Sequence, residues 1–239
     1  MGYFIHFLPV TYFKTAVIPA TNAHISESLM WEEFLRFWGL LFLMAMTQGN
    51  AQRDYWANDS PQMFSGAPYR LHMYMSKRRF DSILKHLTFT LQAPPPFKSP
   101  FHQVQELIAA FNAHTPTCFS PGWISCLDES MSPWWTSRWT RPGWMFVPCK
   151  PHPMGNKYHS MCCGLSGIMY AIELVEGKDR PRELGPKNAT KKVPQSHFFL
   201  RLTASIAHSE RVVIMDSGFC VLQALTALSS VGIFSSAVI

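Results

Sequence analysis

The sequence predicts a mixed α+β protein, with a helical N-terminal region followed by a region of short strands and helices. Two observations support this fold class. From about residue 26 to residue 112, apolar residues recur at three- and four-residue spacing, which is typical of amphipathic helices. From about Cys118 onward, short apolar runs alternate with Gly, Pro and charged residues, which is typical of strands. Hydrophobic residues make up 47% of the 239 residues, enough for a sizeable core, so wholesale disorder is excluded.

The N-terminal half contains three predicted helices. Residues 1–25 show no clean periodicity and are expected to form an irregular arm. A helix is predicted from Ser26 to Gly49, with Ser26 or Ser28 as its cap. The other two are expected over residues 74–87, capped by Ser76 or Asp81, and 103–112, separated by a Pro-rich linker at 93–100. Residues 26–117 are therefore predicted to be a helical region.

The C-terminal half contains four predicted strands, within a domain that spans residues 118–239. The strands follow four apolar runs, and Asp216 is expected to end the fourth of them. A helix is predicted over residues 219–228, and the polar, basic segment 177–194 is expected to be a loop. The runs assigned to strands are 123–127, 144–147, 158–172 and 211–215.

Composition and charge exclude several classes of protein. The formal net charge of +6 and the pI of about 9.1 favour a polyanionic partner. The six cysteines contain no CxxC pair, which argues against a zinc ribbon or a secreted disulfide scaffold and favours a reducing compartment. The longest uncharged apolar stretch, residues 37–46, is about half the ~20 residues of a membrane-spanning helix, so no membrane partner is expected.

Two of the apolar runs each end in an aspartate. Asp128 follows the run 123–127, and Asp216 follows the run 211–215. If these strands are neighbours, the two carboxylates meet at one edge of the sheet and offer the hard oxygen ligands that Mg²⁺ or Mn²⁺ prefers. An aspartate after an apolar run is also a common turn or helix-cap residue, and spacing alone leaves that alternative open.

A stretch between the two aspartates combines basic and aromatic residues. There is no acidic residue from Ser130 to Ile172, and five of the eight tryptophans lie in or just before this stretch. Basic groups interleaved with aromatic rings suit a nucleic-acid backbone with unstacked bases, although core packing also accounts for many tryptophans. The candidate DNA-binding residues are Arg138, Arg141, Lys150 and Lys157.

Three segments carry a more specific combined pattern. The first, WEEFLRFWGLLFLMAMTQGNAQRDYW with MSKRRFDSILKHLTF, is helical. The second begins LDESMSPWW and continues through KPHPMGNKYHSMCCG, and the third is RVVIMDSGFCVLQALTAL. Together, over residues 25–239, they resemble the helical segment and the two catalytic blocks of the piggyBac family of transposases and their domesticated derivatives.

The resemblance implies an incomplete RNase H-like fold and an ancestral cut-and-paste DNA transposase with three catalytic aspartates. Such an enzyme cleaves phosphodiesters and transfers strands at TTAA sites in the nucleus with Mg²⁺ or Mn²⁺. Asp128 stands at the position of the family's first catalytic and metal-binding aspartate, and Asp216 at that of the second. The implied partners are double-stranded DNA and a second copy of the chain or a full-length transposase.

The sequence also departs from the family pattern. Ser217-Gly218 stands where the family more usually has Asn-x-Phe/Tyr, and there is no acidic residue after Asp216 to serve as the third catalytic group. The chain is therefore expected to be a truncated copy without transposase activity. A non-catalytic DNA-binding remnant and an unstable pseudogene fragment remain the alternatives.

Overall fold

The computed structural model describes residues 2–47, 52–56, 71–93, 101–133, 142–148, 150–176 and 196–237. The chain divides into two compact units. The helical unit is Val10–Gln92, and the sheet unit combines Met1–Pro9 with Ala93–Ile239. Among the described helices, none has both the length and the apolar character needed to cross a membrane.

Short helices occupy the segment that was expected to be an irregular arm, so that expectation is wrong. The physical reason is the spacing of Phe13, Val17 and Ala20, which places these three buried side chains on one side of a helix. A π-helical turn, Phe13–Val17, joins two of the helices. The helices of this segment are α1 (Gly2–Phe7), which belongs to the sheet unit, and α2 (Val10–Tyr12) and α3 (Ile18–Asn22) in the helical unit.

The helical unit contains two further helices, α4 (Trp31–Met46) and α5 (Lys77–His86), within the predicted segments. Ser76 caps α5, because its hydroxyl accepts a hydrogen bond from the backbone N–H of Arg79 at 3.2 Å. Aromatic rings fill the core between α4 and α5, where the ring centroids of Phe37 and Phe80 lie 5.0 Å apart.

The sheet unit contains a six-stranded mixed sheet in the order β2-β3-β1-β5-β6, with β4 also paired to β3. Strand β1 is antiparallel to β3 and parallel to β5, which is parallel to β6. The strands are β1 (Ile124–Pro133), β2 (Trp144–Phe146), β3 (Met154–Cys163), β4 (Met169–Val175), β5 (Val212–Met215) and β6 (Phe234–Ala237).

The predicted third strand, residues 158–172, is two strands rather than one. Strand β3 ends at Cys163, and the chain turns through Gly167, whose φ of +71° favours glycine, before β4 begins at Met169. The turn is hard to predict from the sequence because Gly164 and Gly167 stand within one long, mainly apolar run. Asp216 consequently follows the fifth strand and not the fourth.

Helices cover one face of the sheet. Two of them, α7 (Ser196–Leu202) and α8 (Leu222–Ser230), form the main core with the sheet. The sheet residues in this core include Leu127, Met161, Val213 and Met215, none of them more than 2% exposed.

A third helix of the sheet unit, α6 (His102–Cys118), lies along β4 and contains the predicted helix 103–112. The Asn112 amide accepts a hydrogen bond from the backbone N–H of Ile172 at 2.9 Å and donates one to its carbonyl at 2.8 Å. One side chain of α6 therefore satisfies both backbone groups of a β4 residue.

Candidate active site

Asp128 and Asp216 occupy equivalent positions on two neighbouring parallel strands. The register of β1 and β5 runs in step from Ile124 opposite Val212 to Leu127 opposite Met215, and each aspartate is the next residue of its chain. Neighbouring strands lie about 4.8 Å apart, so the two aspartate backbones are adjacent. The structure thus brings together the two residues that the sequence singled out.

The two carboxylates lie on the same side of the sheet. Leu127 and Met215 point into the core, and because successive strand side chains alternate between faces, the residues that follow them are directed to the opposite face. Both aspartates are exposed, and the side chain of Asp128 is 68% accessible. Both carboxylates are therefore accessible from solvent on this face.

Each carboxylate also makes a local hydrogen bond through Oδ1. The Oδ1 atom of Asp128 accepts from the backbone N–H of Glu129 at 2.6 Å, and that of Asp216 accepts from Gly218 at 3.0 Å. Asp216 therefore caps the 3₁₀ turn Ser217–Phe219, which is the alternative role considered for it. The second carboxylate oxygen of each aspartate, Oδ2, takes no part in these two hydrogen bonds.

The donor chemistry of this pair fits a hard divalent cation. Two adjacent, solvated carboxylates supply the oxygen ligands that Mg²⁺ and Mn²⁺ take, usually together with several waters. Within the described ranges, no group of three or more His, Cys, Asp or Glu side chains is placed to hold a metal ion.

The neighbour of Asp128, Glu129, faces the opposite side of the sheet and forms an ion pair there. Its carboxylate contacts the ammonium group of Lys157 on β3, and Lys150 lies 3.8 Å away. Burial by itself raises the pKa of Glu129, but the hydrogen bond and charge of Lys157, aided by Lys150, outweigh it, so the pKa lies below its usual value. This ion pair links β1 and β3 on the face of the sheet opposite Asp128.

His159 lies beside this ion pair in an aromatic environment. Its ring centroid is 4.5 Å from that of Phe198 and 5.2 Å from that of Phe219, the last residue of the turn that Asp216 caps. The Nδ1 atom is buried and has no hydrogen-bond partner among the residues described. Burial, with the charge of Lys157, lowers the pKa of His159 to about 4, so the folded protein holds this imidazole neutral at pH 7.

The low pKa of His159 predicts an acid-sensitive fold. Between about pH 6.5 and pH 4 the unfolded chain takes up a proton that the folded chain does not, so stability falls as the pH falls through this window. From pH 7 to pH 5 the expected loss in the free energy of unfolding is about 2 kcal/mol. Urea titrations at the two pH values measure it.

Two variants separate the contribution of His159 from that of the other histidines. His159→Phe keeps an aromatic ring against Phe198 and is expected to remove most of the pH dependence. His152 is exposed, so His152→Gln is expected to keep the wild-type dependence. An unchanged pH dependence in His159→Phe would contradict the assignment.

A pair of cysteines, Cys126 and Cys162, also belongs to the surroundings of Asp128. The two residues are direct partners across β1 and β3, on the face that carries Asp128. Burial raises the pKa of the Cys162 thiol, and the charges of Cys126 and Asp128 raise it further. Local sequence patterns do not reveal this pair, because the two residues are far apart in the chain and their proximity depends on strand register.

The candidate DNA-binding residues are only partly within the described ranges. Arg138 and Arg141 lie outside them, as do Trp134, Trp135 and Trp139. Lys150 and Lys157 are described, and both side chains contact Glu129. Their contacts with phosphates remain predictions.

Two comparisons relate the chain to known transposases, one by its sequence and one by its fold. The family model described as Transposase IS4 matches residues 1–239. The cryo-EM structure of a piggyBac transposase synaptic complex with hairpin DNA is similar in fold, with a TM-score of 0.72 and 19% sequence identity. The match covers 97% of this chain and 50% of that chain, so this chain spans about half the length of the solved protein.

No curated protein matches the chain significantly. The structural similarity at 19% identity bears out the predicted mixed α+β fold, and with the family model it confirms the resemblance drawn from the sequence motifs. Because the family model extends over all 239 residues, this chain belongs to the Transposase IS4 family and has the fold of a piggyBac-type transposase.

Proposed function

We propose that this chain is a piggyBac-derived, DNA-associated protein in which Asp128 and Asp216 form the metal-binding pair of an ancestral phosphodiester-cleaving site. The observation that carries the proposal is the parallel register of β1 and β5, which places Asp128, in the middle of β1, beside Asp216, the residue after the end of β5. The ancestral reaction is cut-and-paste transposition at TTAA sites, and the proposed location is the nucleus.

The roles of the residues follow from their positions. Asp128 and Asp216 hold Mg²⁺ or Mn²⁺ through oxygens on one exposed face of the sheet. When bound, the cation supplies activation of a water and stabilisation of the leaving oxygen. Lys150, whose ammonium group lies 3.9 Å from Asp128, places a positive charge beside the site for a DNA phosphate.

Two carboxylates give this site less than a full catalytic set. Removing one member of a group of residues that act as a unit commonly abolishes most of the rate. Since Asp216 is the last acidic residue of the sequence, we expect these 239 residues alone to bind a divalent cation weakly and to cleave DNA slowly or not at all. The primary test is therefore cation binding rather than turnover.

Mn²⁺ binding, followed by the loss of the free-ion electron paramagnetic resonance signal, tests the acidic pair. We expect Asp128→Asn and Asp216→Asn each to weaken binding at least about tenfold, because each removes a ligand charge. Glu32→Gln removes an exposed carboxylate from α4 and is the matched control, with unchanged binding. Equal Mn²⁺ affinity in all four proteins would reject the pair as a metal site.

A non-catalytic DNA-binding role is the second candidate, favoured by the net charge of +6. In this case the affinity for duplex DNA is expected to fall steeply between 50 mM and 200 mM salt, because phosphate contacts release counterions. Asp128→Asn is expected to leave this binding intact. An affinity that does not change with salt would reject the binding role.

A further inference from the structure

Cys126 and Cys162 are placed for a disulfide across two neighbouring strands. They are paired residues in the antiparallel register of β1 and β3, so both side chains leave the sheet on the same face. The pair lies on the face opposite the main core, and both residues are half-buried, so a small oxidant can reach the sulfur atoms. Both are free thiols in the structure.

The Cα separation at this pair is within the disulfide range, and the Cβ atoms, about 5.5 Å apart in a hydrogen-bonded pair, must close to about 4 Å when the bond forms. The N–H of Gly164 donates to the carbonyl of Ile124 at 2.9 Å, which makes these two residues a hydrogen-bonded pair. Such pairs recur every second residue along antiparallel strands, so Cys126 and Cys162 form the next one, with an expected Cα separation of about 5.5 Å. Disulfides span Cα separations of about 4.4–6.8 Å.

Neighbouring side chains confirm that this face of the two strands is closely packed. The hydroxyl oxygens of Ser130 and Ser160 lie 3.3 Å apart on the same face. Cys163, in contrast, points to the other face, is buried, and accepts a hydrogen bond from the backbone of Gly122 through its sulfur atom. Cys126, not Cys163, therefore faces Cys162 across the strand pair.

We infer that Cys126 and Cys162 form a reversible intramolecular disulfide when the chain meets a low-molecular-weight disulfide such as oxidised glutathione. The thiolate of one cysteine attacks the glutathione disulfide, forming a mixed disulfide and releasing one glutathione thiolate. The second cysteine, as its thiolate, attacks the protein sulfur of the mixed disulfide and releases the second glutathione. Two protein thiols are oxidised, two protons are lost, and one glutathione disulfide is reduced to two thiols.

This reaction requires neither metal nor DNA, so it stands independently of the proposed function. Its structural consequence is local: a covalent link would join β1 to β3 two residues before Asp128. Half-exposed cross-strand disulfides are readily reduced again, so the link is expected to open with a small thiol reductant.

The test treats the full chain with oxidised glutathione, alkylates the remaining thiols under denaturing conditions, and identifies the peptides by mass spectrometry. We expect one cross-linked peptide pair containing Cys126 and Cys162, and its disappearance after reduction. In Cys162→Ser, Cys126 is expected to carry glutathione instead, because the resolving thiol is absent. Cys163→Ser is the matched control and is expected to keep the cross-link.

Circular dichroism before and after oxidation establishes that the fold is retained. The inference is overturned if the folded wild-type chain leaves Cys126 and Cys162 reduced, or if each carries its own glutathione. A cross-link from either residue to Cys163 would also overturn it, because the two faces of the sheet would then not separate these thiols.

Discussion

Replacing Gly155 with alanine is expected to lower the free energy of unfolding by about 3 kcal/mol. A methyl group on Gly155 would meet the backbone of β1, at the carbonyl of Ser132, with its carbonyl carbon 2.8 Å away and the Cα of Pro133 at 3.0 Å. Strand β3 is held at this point between β1 and β2, because Gly155 pairs with both Pro133 and Met145. Neither neighbour can move aside without losing ladder hydrogen bonds.

Urea unfolding of the wild type and Gly155→Ala measures this loss. Gly39→Ala is the matched control, because Gly39 lies inside α4 with open space around it. That substitution is expected to stabilise its helix by about 0.5–1 kcal/mol. If Gly155→Ala unfolded at the same urea concentration as the wild type, the close contact between β1 and β3 at this position would be wrong.

Removal of the lysine partner of Glu129 has the other large expected effect. Lys157→Met is expected to lower the free energy of unfolding by about 3 kcal/mol, because it leaves a carboxylate that is only 19% exposed without its nearest cation. Lys150, at 3.8 Å, keeps the loss from being larger. The double variant Glu129→Leu/Lys157→Met is expected to recover most of the stability, since it removes both charges.

An exposed ion pair provides the comparison. Arg201 pairs with Glu173 at 2.5 Å, but its side chain is 49% exposed, so Arg201→Met is expected to cost at most about 1 kcal/mol. Thermal or urea unfolding of the wild type and the three variants gives the ranking. A double variant as unstable as Lys157→Met would mean that the loss comes from packing of the lysine side chain rather than from the unpaired charge.

The sequence carries much of the information about the acidic pair. Each aspartate directly follows an apolar run, but only Asp216 stands just after a strand, since β1 continues through Asp128 to Pro133. The alternation of buried Leu127 and Met215 with exposed Asp128 and Asp216 is readable from residue type alone. The pairing of the two strands is long-range, so the sequence supports it only as a condition, and its parallel direction comes from the structure.

Other features depend on register or on tertiary packing, and the sequence does not specify them. The Glu129–Lys157 ion pair and the Cys126–Cys162 pair both follow from the alignment of β1 with β3, which local patterns leave open. The helices at residues 2–22 are short and lack acidic residues in their first turns, so their start signals are weak. Their buried side chains, Phe13 above all, gain stability from the core of the helical unit instead.

The amide of Asn112 has a consequence for how the protein behaves at high concentration. An unprotected outer strand offers its backbone groups to any extended polypeptide, and such strands seed intermolecular β-aggregates. Because Asn112 already hydrogen-bonds the N–H and the carbonyl of Ile172, another strand cannot form a continuous series of backbone hydrogen bonds along β4. Helix α6 therefore protects the outer edge of β4 from intermolecular pairing and fibre formation.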